Sequence, residues 1–254
     1  METVTVGCCI YCRSSVNLSR EHIIPYGLNG EWILQKASCD QCARITGRIE
    51  QHVLRNAFFG PRTSFQMQTY TPKGRKKKLP LHVEKGGTRH VIHVPVEDYP
   101  VCMAMPQFDP PAHISGAPYH SGVNIRIRNI AHIGGPTFPE LARKYELDYI
   151  GVRLEYEPIL FARMLAKIGF GMAVFSLGLN AIRENYVLPA ILGKTQDVGR
   201  WVGSEESVPV NPTDGLHAVD VRAIGEEIHS RIRLFAQFQQ AEYLVVVGKH
   251  LAHR

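Results

Sequence analysis

Cys9-Ile-Tyr-Cys12 and Cys39-Asp-Gln-Cys42 carry the clearest chemistry in this chain. A cysteine pair at this spacing forms a knuckle that points both sulfurs at one ion. Two knuckles complete a tetrahedral site of four thiolates. The intervening residues, 13–38, are enough for a hairpin. Cys8 adjoins Cys9, but only Cys9 gives the two-residue spacing to Cys12. Cys102 stands alone and reads as a core thiol. The expectation is one structural Zn²⁺ on Cys9, Cys12, Cys39 and Cys42. A segment this small has little core of its own. Zinc binding would therefore supply folding free energy, on the order of 10 kcal/mol, and residues 1–60 should unfold without it.

Between the knuckles lies "SREHIIPYGLNG", residues 19–30. Histidine titrates near neutral pH, so His22 suits a base that takes a proton from attacking water. Neighbours on a strand project to opposite faces, so Glu21 and His22 cannot act alike unless the strand bends. The same alternation argues against shared metal binding by His90 and His93. His250 and His253 lie at a terminus expected to fray.

The elements that must hold these residues follow from composition and periodicity. The chain has 254 residues, 44% hydrophobic and 20% charged, which describes an ordinary globular protein of one or two domains. The net charge of +6 is concentrated in residues 61–144, with twelve Lys and Arg against five Asp and Glu. Such a local positive field suits a polyanion such as nucleic acid. The run Lys73, Arg75, Lys76, Lys77 and Lys78 is its densest part and the candidate for phosphate contacts.

"LPLHVEKGGTRHVIHVPV" (79–96) alternates about "KGG", with Leu81, Val83, Val91 and His93 at a period of two, and predicts a β-hairpin. Residues 157–178 open with Pro158 and close with Gly178 around helically spaced apolar residues, which predicts a buried helix. Residues 232–238 and 243–250 read as strands. No stretch approaches the ~18–20 apolar residues of a membrane span, and the N-terminus has no signal-peptide pattern. A cytoplasmic location is the default expectation, and in that reducing compartment clustered cysteines point to metal rather than disulfides.

The order C-x-x-C, "EHIIP", a glycine-containing turn, C-x-x-C and then a helix resembles the HNH endonuclease family over about residues 8–58. The resemblance implies a zinc-stapled ββα-metal domain at residues 1–60. Composition sets apart a basic β-rich segment (61–144) and an α+β C-terminal unit (145–254), so the whole chain reads as α+β. The resemblance also implies DNA as substrate and phosphodiester hydrolysis as the reaction. His22 would be the general base, and Glu21 a ligand of a second, catalytic Mg²⁺ or Mn²⁺. Two positions depart from the family pattern. Leu34 stands where an Asn usually orients the base, and Ala43 where a His or Asn binds the catalytic metal. On a helix starting near Ala43, residues 43, 46, 47 and 50 share a face, so Thr46 or Glu50 are the candidate substitutes. Asn29 could replace the missing Asn through the turn, and His52 falls on another face. The alternative is a zinc-containing nucleic-acid-binding protein without catalysis.

Overall fold

In the computed structural model, residues 2–118, 121–127, 130–205, 215–238 and 241–251 are described. The protein is mixed α+β, with 33% helix and 34% strand. Its first sheet has β1 (Glu2–Thr5) parallel and β2 (Leu18–His22) antiparallel to a central β3 (Trp32–Cys39). The β2–β3 connection is tight. A 3₁₀ turn at Tyr26–Leu28 follows Pro25, and Asn29 takes φ 61°. A Cβ on Gly30 would lie 2.1 Å from the Ile24 carbonyl oxygen, so no other residue fits there. Helix α1 (Asp40–Asn56) starts directly after Cys39 and buries Cys42, Thr46, Ile49, Val53 and Leu54 on one side.

Next come α2 (Phe59–Ser64) and a hairpin of β4 (Lys78–Lys85) and β5 (Thr88–Pro95). Gly86 and Gly87, at φ 58° and 75°, form its two-residue loop. Positive φ at both loop positions matches the twist of the flanking strands. The facing of β5 differs from the sequence pattern. Leu81 opposes Ile92 and Leu79 opposes Val94, so those residues point inward, while Val91 and His93 face solvent. Val91 follows the hairpin's alternation but lies one residue out of phase with the buried set.

Short strands β6 (Val101–Met103) and β7 (Gln107–Phe108), helix α3 (Ala112–Ser115), and strands β8 (Ile125–Arg126) and β9 (Ala131–Gly134) connect onward, β6 pairing with β9 and β7 with β8. Helix α4 (Phe138–Tyr145) begins with a capping box of Thr137 and Glu140, and β10 (Tyr149–Gly151) then adds to β4. The hairpin, Tyr99, Leu141 and Ile150 share a small core of their own.

Helix α5 (Pro158–Leu177) runs between Glu157 and Gly178, as its sequence limits predict. Contrary to the sequence reading that no stretch approaches a membrane span, α5 is long and apolar enough to cross one by length and composition, but most of it is buried inside the protein. Strand β11 (Ile182–Asn185), helix α6 (Leu188–Ile191) and strands β12 (Val202–Ser204), β13 (His217–Ile224), β14 (Glu227–Leu234) and β15 (Glu242–His250) complete the chain. The sheet order is β11-β15-β14-β13, with β12 also pairing β15. His250 is ordered in β15, its ring bonding to the Gly225 carbonyl, whereas His253 lies outside the described residues.

Helix α5 contacts both α1 and the C-terminal sheet. A Cβ on Gly169 would lie 3.0 Å from Val245 Cβ, and one on Gly171 3.4 Å from the Ile23 side chain. These glycines let the helix approach both layers closely. One continuous apolar core therefore runs from Cys9 through Ile23, Phe58, Phe161 and Phe170 to Val247. The sequence divisions at 60 and 144 do not match this packing. Residues 1–60 and 145–254 share a core, and the middle segment contributes Met103, Met105 and Phe108 to it. Composition shifts mark surface character, whereas a core is defined by what apolar faces meet.

His217 ties the two ends of this core together. The Phe235 N–H donates to its Nδ1 (3.2 Å), so Nε2 carries the proton and donates to the Leu28 carbonyl (2.7 Å). Burial lowers its pKa from 6.5 to about 4. In this pH range the unfolded chain binds the proton that the folded chain refuses. Stability contributed by neutral His217 is thus present above 6.5 and is lost as pH falls from 6.5 towards 4. The loss amounts to on the order of 3 kcal/mol at ~1.4 kcal/mol per pH unit. Urea midpoints at pH 7 and pH 4.5 should differ more for the parent than for His217→Asn. An equal shift in both would show that other groups carry the acid sensitivity.

Candidate functional site

The two knuckles come from different backbone settings. Cys9 and Cys12 lie in the turn after β1, where the Cys9 N–H donates to the Ser14 carbonyl and Arg13, at φ 64°, donates back to the Cys9 carbonyl. Cys39 ends β3 and caps α1, and Cys42 sits in the first helical turn. The four sulfurs lie within 4.8 Å of one another, with Cys12 and Cys39 at 3.5 Å. Tetrahedral bonds of ~2.3 Å put sulfurs about 3.8 Å apart, so this cluster could hold a metal ion such as zinc. Backbone hydrogen bonding from Cys42 lowers the Cys39 thiol to about 7, while burial raises Cys9 and Cys42. A bound cation would displace those protons. Cys8 is half-buried and outside the cluster, and Cys102 is buried with its thiol pushed up by burial.

Glu21 and His22 end β2, where the pairing with β3 slips between Ser19 and Glu21 and Lys36 takes φ 53°. This irregularity bends the strand end, and both side chains are buried, 6% and 8% exposed. His22 lines a cleft of about 570 Å³, together with the Ala43, Thr46, Gly47 and Glu50 face of α1. That helix face is the one its spacing predicted. Both ring nitrogens of His22 are buried and, among the described residues, neither makes a hydrogen bond of full geometry, the Gly30 backbone offering a weak one that raises its pKa. Burial, and then the charges of Arg20 and Lys167, hold its pKa below 6.5. It is therefore neutral at pH 7 with a lone pair to accept a proton.

Arg20, Arg55 and Arg62 also line the cleft. Arg62 is fixed by donating to the Gly27 (2.8 Å) and Leu54 (3.2 Å) carbonyls. An aromatic ladder leads outward. The Tyr26 ring lies 5.3 Å from His22 and stacks at 4.7 Å on Tyr70, which is 72% exposed. The Tyr26 and Tyr70 positions carried no recognisable sequence signal, because their stacking joins two loops.

Glu21 does not stand as a free metal ligand. The Lys167 ammonium, from α5, lies 2.8 Å from Glu21 Oε1 and 2.6 Å from Glu50 Oε1. It also donates to the carbonyls of His22 and Ile23. Although burial disfavours its charge, the two carboxylates raise the Lys167 pKa. The catalytic Mg²⁺ or Mn²⁺ expected at Glu21 therefore does not fit this arrangement. Its carboxylate is already committed to a cation, and Ala43 offers no ligand atom. Among the described residues, the cysteine cluster alone brings three or more ligand side chains together for an ion.

The other substitutes also point elsewhere. Thr46 donates back to the Cys42 carbonyl (3.3 Å). Asn29 accepts from the Gln68 N–H (2.9 Å) rather than orienting His22, and His52 is exposed. Lys73, Arg75, Lys76, Lys77 and Lys78 are all exposed and follow directly on Thr69, Tyr70 and Thr71 of the cleft wall. Arg75 reaches back to the Met67 carbonyl (2.8 Å), and Lys76 lies 5.3 Å over the Phe59 ring.

Comparison with known proteins yields no family model that matches the chain, and no curated protein or solved structure matches it significantly.

Proposed function

We propose that this chain is an HNH-like endonuclease that hydrolyses DNA phosphodiester bonds, braced by structural zinc on Cys9, Cys12, Cys39 and Cys42. The observation that supports this most is His22. It is a buried, neutral imidazole with no hydrogen bond of full geometry and only a weak one to the Gly30 backbone, placed in a cleft with three arginines. Buried polar groups are nearly always paired, and unpaired ones often mark chemistry. In the proposed reaction His22 takes a proton from water, and the water oxygen forms a new bond to phosphorus. The bond to the leaving sugar oxygen breaks, and solvent returns a proton to that oxygen. Arg20, Arg55 and Arg62 would hold the phosphate and offset its developing charge. Tyr70 would stack on an unpaired base. Incubating zinc-loaded protein with plasmid and single-stranded DNA, alongside His22→Ala, tests the reading. Cleavage by the parent that the variant loses is the expected result.

A second reading is a nucleic-acid-binding protein without catalysis. Leu34, Ala43 and the engagement of Glu21 by Lys167 favour it. It predicts DNA binding by parent and His22→Ala alike, with no cleavage by either.

Both readings use the basic run as a backbone clamp. Each phosphate contact adds roughly 0.9 to the slope of log affinity against log salt on duplex DNA, with little sequence information. Replacing Lys76, Lys77 and Lys78 with Ala should weaken binding to all duplexes alike and flatten that slope by about two to three units. An unchanged slope would leave the run as a solvated loop with no nucleic-acid role.

A further inference from the structure

We propose that the Lys167 ammonium, buried behind the cleft wall, occupies the place between Glu21 and Glu50 that a divalent ion would otherwise take, so that the site operates without a second metal. The inference rests on the cleft reading above only in calling the site active. The cation position itself stands on geometry. Four oxygens surround one nitrogen: two carboxylate oxygens at 2.8 and 2.6 Å, the Ile23 carbonyl at 3.2 Å, and the His22 carbonyl. Carboxylates and backbone carbonyls are also the ligands that a hard divalent cation selects. The ammonium supplies charge to the two carboxylates and hydrogen bonds to the two carbonyls.

Lys167 is only 1% exposed and is carried by α5. With hydrogens directed to two carbonyls and its charge shared by two carboxylates, it has no free donor for substrate. It is a positioning residue. Its bond to the His22 carbonyl fixes the backbone that carries the imidazole, and its charge helps keep that imidazole neutral. Buried ammonium and carboxylate groups persist only when mutually compensated, so a metal could enter only by expelling the lysine. The helix that supplies Lys167 lies 145 residues along the chain from His22. The ββα segment therefore depends on the C-terminal unit for its cation.

Counting bound Mn²⁺ by electron paramagnetic resonance on zinc-loaded full-length protein tests this without reference to cleavage. The parent should bind no stoichiometric Mn²⁺. Lys167→Met frees both carboxylates and should gain one Mn²⁺ per chain, which Lys167→Met combined with Glu50→Gln should lose. One Mn²⁺ on the parent, removed by Glu21→Gln, would overturn the proposal. So would a folded Lys167→Met protein that gains none. If Lys167→Met does not fold, the comparison of the parent with Glu21→Gln still decides. A parent that binds no Mn²⁺ and cuts no DNA would keep this assignment while removing the nuclease reading.

Discussion

Changing Cys39 to Ser, or stripping the metal with a chelator, should unfold more than the ββα segment. The first knuckle is not a surface staple. Its inner residues Ile10 and Tyr11 are buried, and the Tyr11 ring packs 6.0 Å from Phe170 of α5. Ile23, directly after β2, packs against Gly171. Losing the ion frees four thiolates, and with them the turn that seats Ile10 and Tyr11 against α5. A structural zinc site supplies on the order of 10 kcal/mol, comparable with the whole stability of an ordinary domain, ~5–15 kcal/mol. Because α5 packs on α1 as well as on the C-terminal sheet, unfolding the first layer exposes one side of α5 and removes part of the shared core.

The two tryptophans report the two halves, Trp32 on β3 and Trp201 beside β12. In single-tryptophan proteins, both emissions should shift together as zinc is withdrawn. Metal analysis should find one ion per parent chain and none in Cys39→Ser. Full retention of metal by Cys39→Ser would eliminate the four-thiolate site. A shift of Trp32 alone would restore the independent N-terminal domain that the sequence divisions suggested.

What the sequence discloses here is what short-range chemistry encodes. The cysteine spacing, the Gly86-Gly87 turn, and the Pro158 and Gly178 limits of α5 each act over a few residues, and the structure has all of them where the sequence places them. The face of α1 carrying Ala43, Thr46, Gly47 and Glu50 follows from helical geometry alone. Other features depend on which faces meet, and periodicity does not say that. The single core linking Cys9 to Val247 is one such case, and the phase of β5 is another. Lys167 left one readable trace: it and Arg163 are the only charged residues in the apolar stretch 158–177. A lysine buried in so apolar a helix must be either neutral or paired, and pairing calls for a carboxylate. Which carboxylate, however, is set by tertiary packing. The Tyr26–Tyr70 stack left no trace, because each residue is unremarkable in its own loop.

Replacing His22 with Ala should lower DNA cleavage by about 10²–10⁴-fold, the range that a positioned general base contributes. Zinc content and DNA affinity should stay nearly unchanged, since the imidazole makes at most a weak bond to the Gly30 backbone and the proposed phosphate contacts would fall to the arginines and the basic run. The pH profile separates a base from a packing residue. Burial first, then the positive charges of Arg20 and Lys167, depress the His22 pKa, with Glu21 opposing them. In the proposed reaction the neutral imidazole is the active form, so activity should hold through pH 6.5. It should fall only as pH drops through the lowered pKa of the folded protein. Arg20→Gln removes one of the depressing charges and should move that acid limb upward. A structural role for His22 would reduce rate without moving the limb. Equal cleavage by the parent and His22→Ala would assign the cutting to another group, and an acid limb above pH 6.5 would exclude this buried imidazole as the base.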